Sequence, residues 1–517
     1  MCKTYRICGR FCTAQRGNVP AGVCREPTRR PAPGAKGKTP VRTLQNGAAI
    51  VCRLRAAGHG NGRNKMEQNT PGRPMFTGRE LWRLILPLVA EQLLMVTVGM
   101  ADTVMVSSVG EAAVSGISLV DQINVLLIQI FAALATGGAV VASQYLGRRD
   151  RENACRAAKQ LVYASFGMAV LIGAAVLVLN RYILRAVFGD VDPEVMRAAE
   201  TYFWLSALSY PVLALYNAGA ALFRSMGNSR VSLFASAIMN VINIGGNAIL
   251  IYGLHWGVAG AGTATLLSRA AAGGIMLVLL HHRENPIVLE RLLHPEWNGG
   301  ILRSILRVGV PGGLENGIFH VGKLMVASLV TTFGTAAIAA NAIANNIASM
   351  TNLTGSAIGL AMITVVGRCI GAKDIAAARR YTKLLLWAVY VSMWGTNIIL
   401  YFLAPHLVRF YAMPLKTAEM ALLVVNVNFI MSSLFWPLSF TTPNALRAAG
   451  DAKFTMTVSI ISMWVFRIGM SYVLGSWLHM GLLGVWLAMQ IDWVVRALFF
   501  TVRFAGHKWE EKHVIDE

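Results

Sequence analysis

Apolar runs long enough to cross a hydrocarbon core of roughly 30 Å recur twelve times between Leu81 and Phe504. They fall at about 81–107, 112–146, 155–180, 195–223, 230–252 and 257–283, then at 301–332, 337–368, 381–405, 417–446, 454–475 and 480–504. Each reads as a helix, because in lipid a spanning segment must satisfy its own backbone N–H and C=O groups. The runs at 112–146 and 337–368 exceed thirty residues, so they tilt or protrude from the bilayer. The pattern predicts an all-α integral membrane protein with twelve transmembrane helices.

The polar and small residues between these runs repeat at one spacing. Leu86-Pro87-Leu88-Val89-Ala90-Glu91-Gln92 matches Val310-Pro311-Gly312-Gly313-Leu314-Glu315-Asn316, 224 residues later. The same offset pairs Gly110, Gly147, Asp150, Arg156 and Lys159 with Gly334, Gly371, Asp374, Arg380 and Lys383. It also pairs Leu254, His255, Gly257 and Gly260 with Leu478, His479, Gly481 and Gly484. Six spans per half is an even number, so both halves enter from the same side and form a parallel repeat about an axis along the membrane normal. The expected organisation is a basic N-terminal extension at 1–74, a first lobe at 75–290 with helices one to six, and a second lobe at 291–517 with helices seven to twelve and a tail.

Composition agrees with that reading, since 55% of the residues are apolar and only 14% charged. The net charge of +22 looks at first like a nucleic-acid footprint. However, +13 of it sits in residues 1–74, where no stacking platform or binding motif accompanies it. No nucleic-acid partner is expected. Five of the seven cysteines lie in the same stretch without paired zinc knuckles, and the Pro/Gly/Arg-rich composition reads as disordered. The stretch has neither an apolar signal core nor a small-residue cleavage site. It reads as upstream sequence ahead of a start at Met66 or Met75, which an intact mass retaining Met1 would refute. The alternative is a polybasic segment held at an anionic leaflet. If the N-terminus is cytosolic, the inside loops and tail carry 21 Lys/Arg and the outside loops five. The positive-inside rule then places both termini in the cytosol of a multi-pass plasma (bacterial cytoplasmic) membrane protein.

Charged and amide side chains within the spans mark the candidate chemistry, because a charge at the bilayer centre costs roughly 2.5–3.5 kcal/mol even on insertion scales. Glu91 and Asp102 are eleven residues apart on the first span, which returns them to one side of a helix. Glu91 recurs as Glu315, and that symmetry favours a role in the fold, such as pairing with helix ends or with Lys323. Asp102 has no acidic counterpart, since the matching residue is Val326, and broken symmetry at a buried acid favours function. Asp121, with Gln122, Asn124 and Gln129 nearby, forms a second polar patch. Asn240, Asn243 and Asn247 form one stripe at i, i+3 and i+7, a spacing that equally serves hydrogen bonds between helices. Glu91, Asp121, Asn240, Glu315 and Lys323 are the candidate polar residues of a transport pathway. His255 and His479 read as structural. No nucleophile elbow, HExxH, phosphate-binding loop or His/Asp ligand cluster is present, so neither an enzyme nor a resident metal or cofactor is expected.

Three stretches carry a family resemblance: Met100-Ala101-Asp102-Thr103-Val104-Met105-Val106; Leu222-Phe223-Arg224-Ser225-Met226-Gly227-Asn228-Ser229 with its echo Ala445-Leu446-Arg447-Ala448-Ala449-Gly450-Asp451; and the Asn243–Gly253 stretch ahead of a glycine-rich sixth span. Together they resemble the multidrug and toxic compound extrusion (MATE) family of the prokaryotic type, over roughly residues 78–505. The resemblance implies a monomeric secondary antiporter that exports drugs or other small, often cationic, organic compounds in exchange for H⁺ or Na⁺ by alternating access. Carried over by motif, Asp102 matches the acid that takes up the coupling cation, including a transient Na⁺. Asn243 and Asn247 match its partners, although Asn247 stands where relatives often have Asp and so offers only a neutral amide. The alternative within transport is a flippase for a lipid-linked saccharide or another lipid, whose relatives resemble the same superfamily.

Overall fold

The computed structural model describes residues 75–290, 292, 296–411 and 413–515. The expected extension at 1–74 and the readings attached to it lie outside the described residues. Twelve long helical elements follow in chain order: α1 Gly78–Ser107, α2 Glu111–Gly147, α3 Arg151–Phe188, α4 Pro193–Ser225, α5 Ser229–Asn247, α6 Gly257–Leu280, α7 Gly299–Thr331, α8 Thr335–Gly371, α9 Ile375–Phe410, α10 Leu415–Trp436, α11 Ala452–Ser462 and α12 Gly481–Ala505. Three continue as wider, π-type turns: α5 through Ala248–Gly253, α10 through Pro437–Thr441 into Thr442–Ala449, and α11 through Met463–Gly469 and Tyr472–Trp477.

Eleven of these helices are long and apolar enough to cross a membrane. The other, α7, has 33 residues, but it carries Arg303, Arg307, Glu315 and Lys323. Its length matches its neighbours and its polarity is local. The architecture is that of an all-helical membrane protein in two six-helix halves.

Local sequence explains the ends and the bends. Thr77 and Glu80 form a reciprocal capping box at the start of α1, with the Thr77 N–H donating to Glu80 Oε2 at 2.8 Å. Asp150 and Asp374, which match across the halves, cap α3 and α9 by accepting from the N–H groups of Asn153 and Ala377 at 3.0 and 2.8 Å. Pro87 and Pro311, also matched, lie inside α1 and α7 and each removes one helix hydrogen bond. Even the unusual backbone repeats: Arg149 and Lys373, then His255 and His479, hold φ near +60° (64°, 58°, 54° and 53°).

The halves are locked together at the ends bearing the basic loops. The first turns of α1 and α7 exchange places: Leu81, Leu84, Ile85 and Leu88 pack in the core of the second half, while Ile301, Ile305 and Val308 pack in that of the first. The last turns of α2 and α8 cross at Gly147 and Gly371. A Cβ at Gly147 would fall onto the Arg368 carbonyl oxygen, and one at Gly371 onto that of Gln144. On either side of this crossing, Gln144 Nε2 donates to the Ala448 carbonyl at 2.8 Å. Its counterpart Arg368 donates to the Ser225 carbonyl from Nε at 3.1 Å and Nη2 at 2.8 Å. Each is a long side chain capping the end of the opposite half's fourth helix, where unpaired carbonyls accumulate.

At the other end the same two helices turn polar faces outward. α2 is buried almost continuously over residues 133–145, yet Asp121, Gln122 and Val125 are exposed; α8 is buried over 361–367 and exposes Asn345, Asn346 and Ser349. The cleft between the halves therefore opens opposite the basic loops.

Candidate functional site

The site is built in the first half, where α1, α2, α4, α5 and α6 meet. Asp102 lies near the end of α1, and α5 presents Asn240, Asn243 and Asn247 to the interior, all of them buried. Asn247 Nδ2 donates to Asp102 Oδ1 at 2.9 Å. With the Asn243 amide turned so that its nitrogen faces Asp102, it donates to Oδ1 at 2.7 Å and Oδ2 at 3.0 Å. In that orientation Asn243 and Asn247 both donate to the Asp102 carboxylate, and Thr265 on α6 lies beside the Asn243 amide.

A cavity of about 150 Å³ adjoins these groups, lined by Gly99, Asp102, Ser118, Asp121, Tyr202, Asn247 and Thr265 among others. It is large enough for several waters or a hydrated small cation. Asp121 is steadied by Asn124 Nδ2 at 3.3 Å, and Asn124 in turn accepts from the Tyr210 hydroxyl at 2.7 Å. Arg269 on α6 donates to Ser209 Oγ at 2.7 Å and lies within electrostatic reach of both Asp102 and Asp121. Two carboxylates face one guanidinium here, an excess of one negative charge. α5 widens into its π-type turns immediately after Asn247, at Ala248–Gly253, a distortion that recurs at functional sites.

The structure brings together Asp102, Asn243, Asn247 and Asp121, and it separates the rest. Asn240 continues the α5 stripe with its Nδ2 buried and unpartnered. Glu91 faces the same side of α1 as Asp102, but it is buried in its own network instead of lining a shared cavity. It accepts from Ser232 Oγ at 2.8 Å and Tyr216 Oη at 3.3 Å, with Arg224 Nη1 at 3.9 Å. Glu315 accepts from Arg447 Nη2 at 2.7 Å, not from Lys323. Arg224 and Arg447 both end the fourth helix of their half, so the two glutamates form matching braces between first and fourth helices. Lys323 lies in the second half, in an environment considered below.

Sequence reading missed Thr265 and Tyr202. Both are common membrane residues without a charge, and only the packing of α4 and α6 against α1 gives them a role. Arg269 was visible as an ionisable residue within a span, which is the signal that finds it.

Comparisons with known proteins identify the family and the fold. The family model described as MatE matches twice, at residues 87–249 and 311–473, again 224 residues apart. Relatives include "Uncharacterized transporter YisQ" of Bacillus subtilis, 28% identical over 84% of this chain and 95% of that protein. "Probable multidrug resistance protein NorM" of Thermotoga maritima is 27% identical over 84% of this chain and 94% of that protein. Among solved structures, "Crystal structure of MATE in the bent conformation" superposes with a TM-score of 0.77 at 20% identity, over 83% of this chain and 95% of that one. "Outward-facing conformation of a multidrug resistance MATE family transporter of the MOP superfamily" does so with a TM-score of 0.77 at 20% identity, over 83% of this chain and 96% of that one.

Proposed function

The chain belongs to the MatE family, and from that premise we propose that it is a secondary active antiporter exporting small organic compounds, drugs among them, in exchange for H⁺ or Na⁺. The Thermotoga maritima relative, described as a probable multidrug resistance protein, supports drug export. The observation that supports the coupling is the setting of Asp102: a half-buried acid without a counterpart in the second half, held by two amide N–H groups beside a small polar cavity.

With Asp102 ionised, Asn243 and Asn247 both donate to it. When a cation arrives, the same site offers oxygen: the two carboxylate oxygens, the Asn243 carbonyl after rotation, Thr265 Oγ1, and Asn247 Oδ1, which is buried without a partner. Such an all-oxygen set suits a hard cation, and a proton on Asp102 would use the Asn243 carbonyl as acceptor. Neutralising Asp102 changes its hydrogen bonds across the α1–α5 contact and removes the excess negative charge beside Arg269. A ligand shifts a conformational equilibrium only by its differential affinity for the two states. Here that difference is the rearranged bonding between α1 and α5. The halves then rock about the crossing of α2 and α8, exposing the cleft alternately on the two sides.

The orientation that follows from the basic loops puts both termini in the cytosol of a bacterial cytoplasmic membrane, with the cleft facing outward. The test is efflux by protein reconstituted in liposomes under an imposed H⁺ or Na⁺ gradient. Asp102→Asn keeps the size of the side chain and cannot be neutralised; it should abolish gradient-driven efflux at normal membrane expression. Efflux at the wild-type rate by that variant would reject Asp102 as the coupling residue.

A further inference from the structure

The repeat that leaves Asp102 unmatched inverts the charge of the corresponding place in the second half. At the offset of 224, Asp102 becomes Val326, Asn243 becomes Arg467, Asn247 becomes Ser471, and Gly99, which lines the first-half cavity, becomes Lys323. A carboxylate held by amides is replaced by a guanidinium and an ammonium with no acid in the matching position.

The surroundings of Arg467 leave it short of partners. It is 7% exposed, on the π-type turn Met463–Gly469 of α11. Its Nη1 has the Met463 sulfur at 3.9 Å and Asp492 Oδ2 at 3.9 Å, both beyond a charge-assisted hydrogen bond. Asp492 is shared, with Oδ2 facing Arg467 but accepting no hydrogen bond. Its Oδ1 accepts from Arg496 Nε at 2.8 Å and Ser462 Oγ at 2.6 Å, which closes the Arg496–Asp492 pair. The Arg467 and Arg496 guanidiniums lie 5.0 and 5.5 Å from the Phe319 ring centre, one helical turn before Lys323 on α7. Among the described residues Lys323 has no ion-pair partner, and the charge nearest in kind is Arg467. The cluster thus holds three cations, Lys323, Arg467 and Arg496, against the single carboxylate of Asp492. An excess of two positive charges within a membrane-spanning bundle is costly unless something supplies the counter-charge.

Building on the antiport reading, we propose that the second half binds the anionic group of the transported molecule, a carboxylate, sulfonate or phosphate taken by Arg467 and Lys323. The planar guanidinium of Arg467 has the fork geometry for a two-oxygen anion, and the flexible Lys323 ammonium closes on it from the next turn. The cation site in the first half and the anion site in the second are then the same place in the repeat, with opposite sign. Substrates of this chain are organic anions or zwitterions, or a lipid carrying such a headgroup.

The test is equilibrium binding of radiolabelled 2-naphthoxyacetate to the full chain in phosphatidylcholine nanodiscs, with its neutral amide and the matching amine, 2-naphthoxyethylamine, as competitors. Unlabelled naphthoxyacetate should displace the label, and the amide and amine should not. Arg467→Gln and Lys323→Gln should each weaken binding by roughly ten-fold or more, the loss of one charge-assisted hydrogen bond. Lys323 is exposed and unpaired, so its variant reports even if Arg467→Gln fails to fold. Repeating the measurement with phosphatidylglycerol in the disc separates the sources. Competition by that lipid assigns the site to a headgroup, and its absence assigns it to soluble anions. Equal displacement by acid and amide, or wild-type affinity in folded Lys323→Gln, would overturn the proposal. No gradient is present in this experiment. A null result beside intact gradient-driven efflux rejects the anion site alone, whereas anion binding without any efflux rejects the antiport reading.

Discussion

Substituting Gly371 by Ala should open the inner side of the transporter without touching either binding site. A Cβ there would overlap the carbonyl oxygen, carbon and Cα of Gln144, all backbone atoms that no rotamer change can move aside. Relieving the overlap requires the last turns of α2 and α8 to separate, against overpacking that typically costs about 1–3 kcal/mol. That cost falls on the state in which these turns touch and is absent once they part. The equilibrium should therefore move toward the inward-open state by a factor of roughly 5 to 150. Ser143 is a suitable reporter. It is fully buried beside Gly367 at the same crossing, and its hydroxyl has no hydrogen-bond partner, so Ser143→Cys disturbs little. In a background with the native cysteines replaced, the rate of maleimide labelling at position 143 measures how often the crossing opens. Gly371→Ala should raise that rate by the same factor and slow efflux, because the outward state becomes scarce. Adding Gly147→Ala should increase the rate little further, since one separation relieves both overlaps. Labelling that stays at the wild-type rate would refute the idea that the crossing is the hinge.

Other outcomes follow from the same contacts. Gln144→Ala and Arg368→Ala each remove a cap from the opposite half's fourth helix, so both should raise labelling at Ser143→Cys. Arg368→Ala should have the larger effect because two charge-assisted bonds are lost, as comparison of the two labelling rates would reveal. Glu315→Ala leaves the half-buried Arg447 without its carboxylate and should lower stability by about 3 kcal/mol, read as thermal unfolding in detergent. Glu315→Ala combined with Arg447→Met should recover most of that loss. Asn247→Ala removes one of two amide donors to Asp102 and should weaken the cation dependence of efflux without abolishing it, a partial phenotype distinct from that of Asp102→Asn.

Much of the fold was legible because lipid enforces simple rules. Spanning length and backbone satisfaction fix the number of helices, and duplication at a constant offset reveals the two halves. The polar α7 was legible as the apolar run at 301–332, although its charges dilute its hydropathy. What sequence could not supply was pairing. Glu91 and Asp102 share a helix face, yet one ends in a closed network with Arg224 and the other beside a cavity, because neighbours on α4 and α5 differ along the height of α1. Likewise Glu315 was as compatible with Lys323, eight residues along α7, as with Arg447, far away in sequence on the continuation of α10. The choice is made by where that helix ends.

The repeat itself separates scaffold from function. Positions that match across the halves are those that hold it together: Gly147 with Gly371 at the crossing, Gln144 with Arg368 as caps, Glu91 with Glu315 as braces, and Asp150 with Asp374 at helix starts. These contacts are pairwise equivalent because a two-fold arrangement uses the same geometry twice, so either both members survive or neither does its work. Positions that do not match cannot serve that purpose. Asp102 against Val326, and Asn243 against Arg467, give the two halves different electrostatics within one backbone framework. A strictly symmetric pair would bind the same ion on both sides and could not distinguish a coupling cation from cargo. Under the proposed antiport, broken symmetry in charge laid over preserved symmetry in packing would let one motion carry two different ligands in opposite directions.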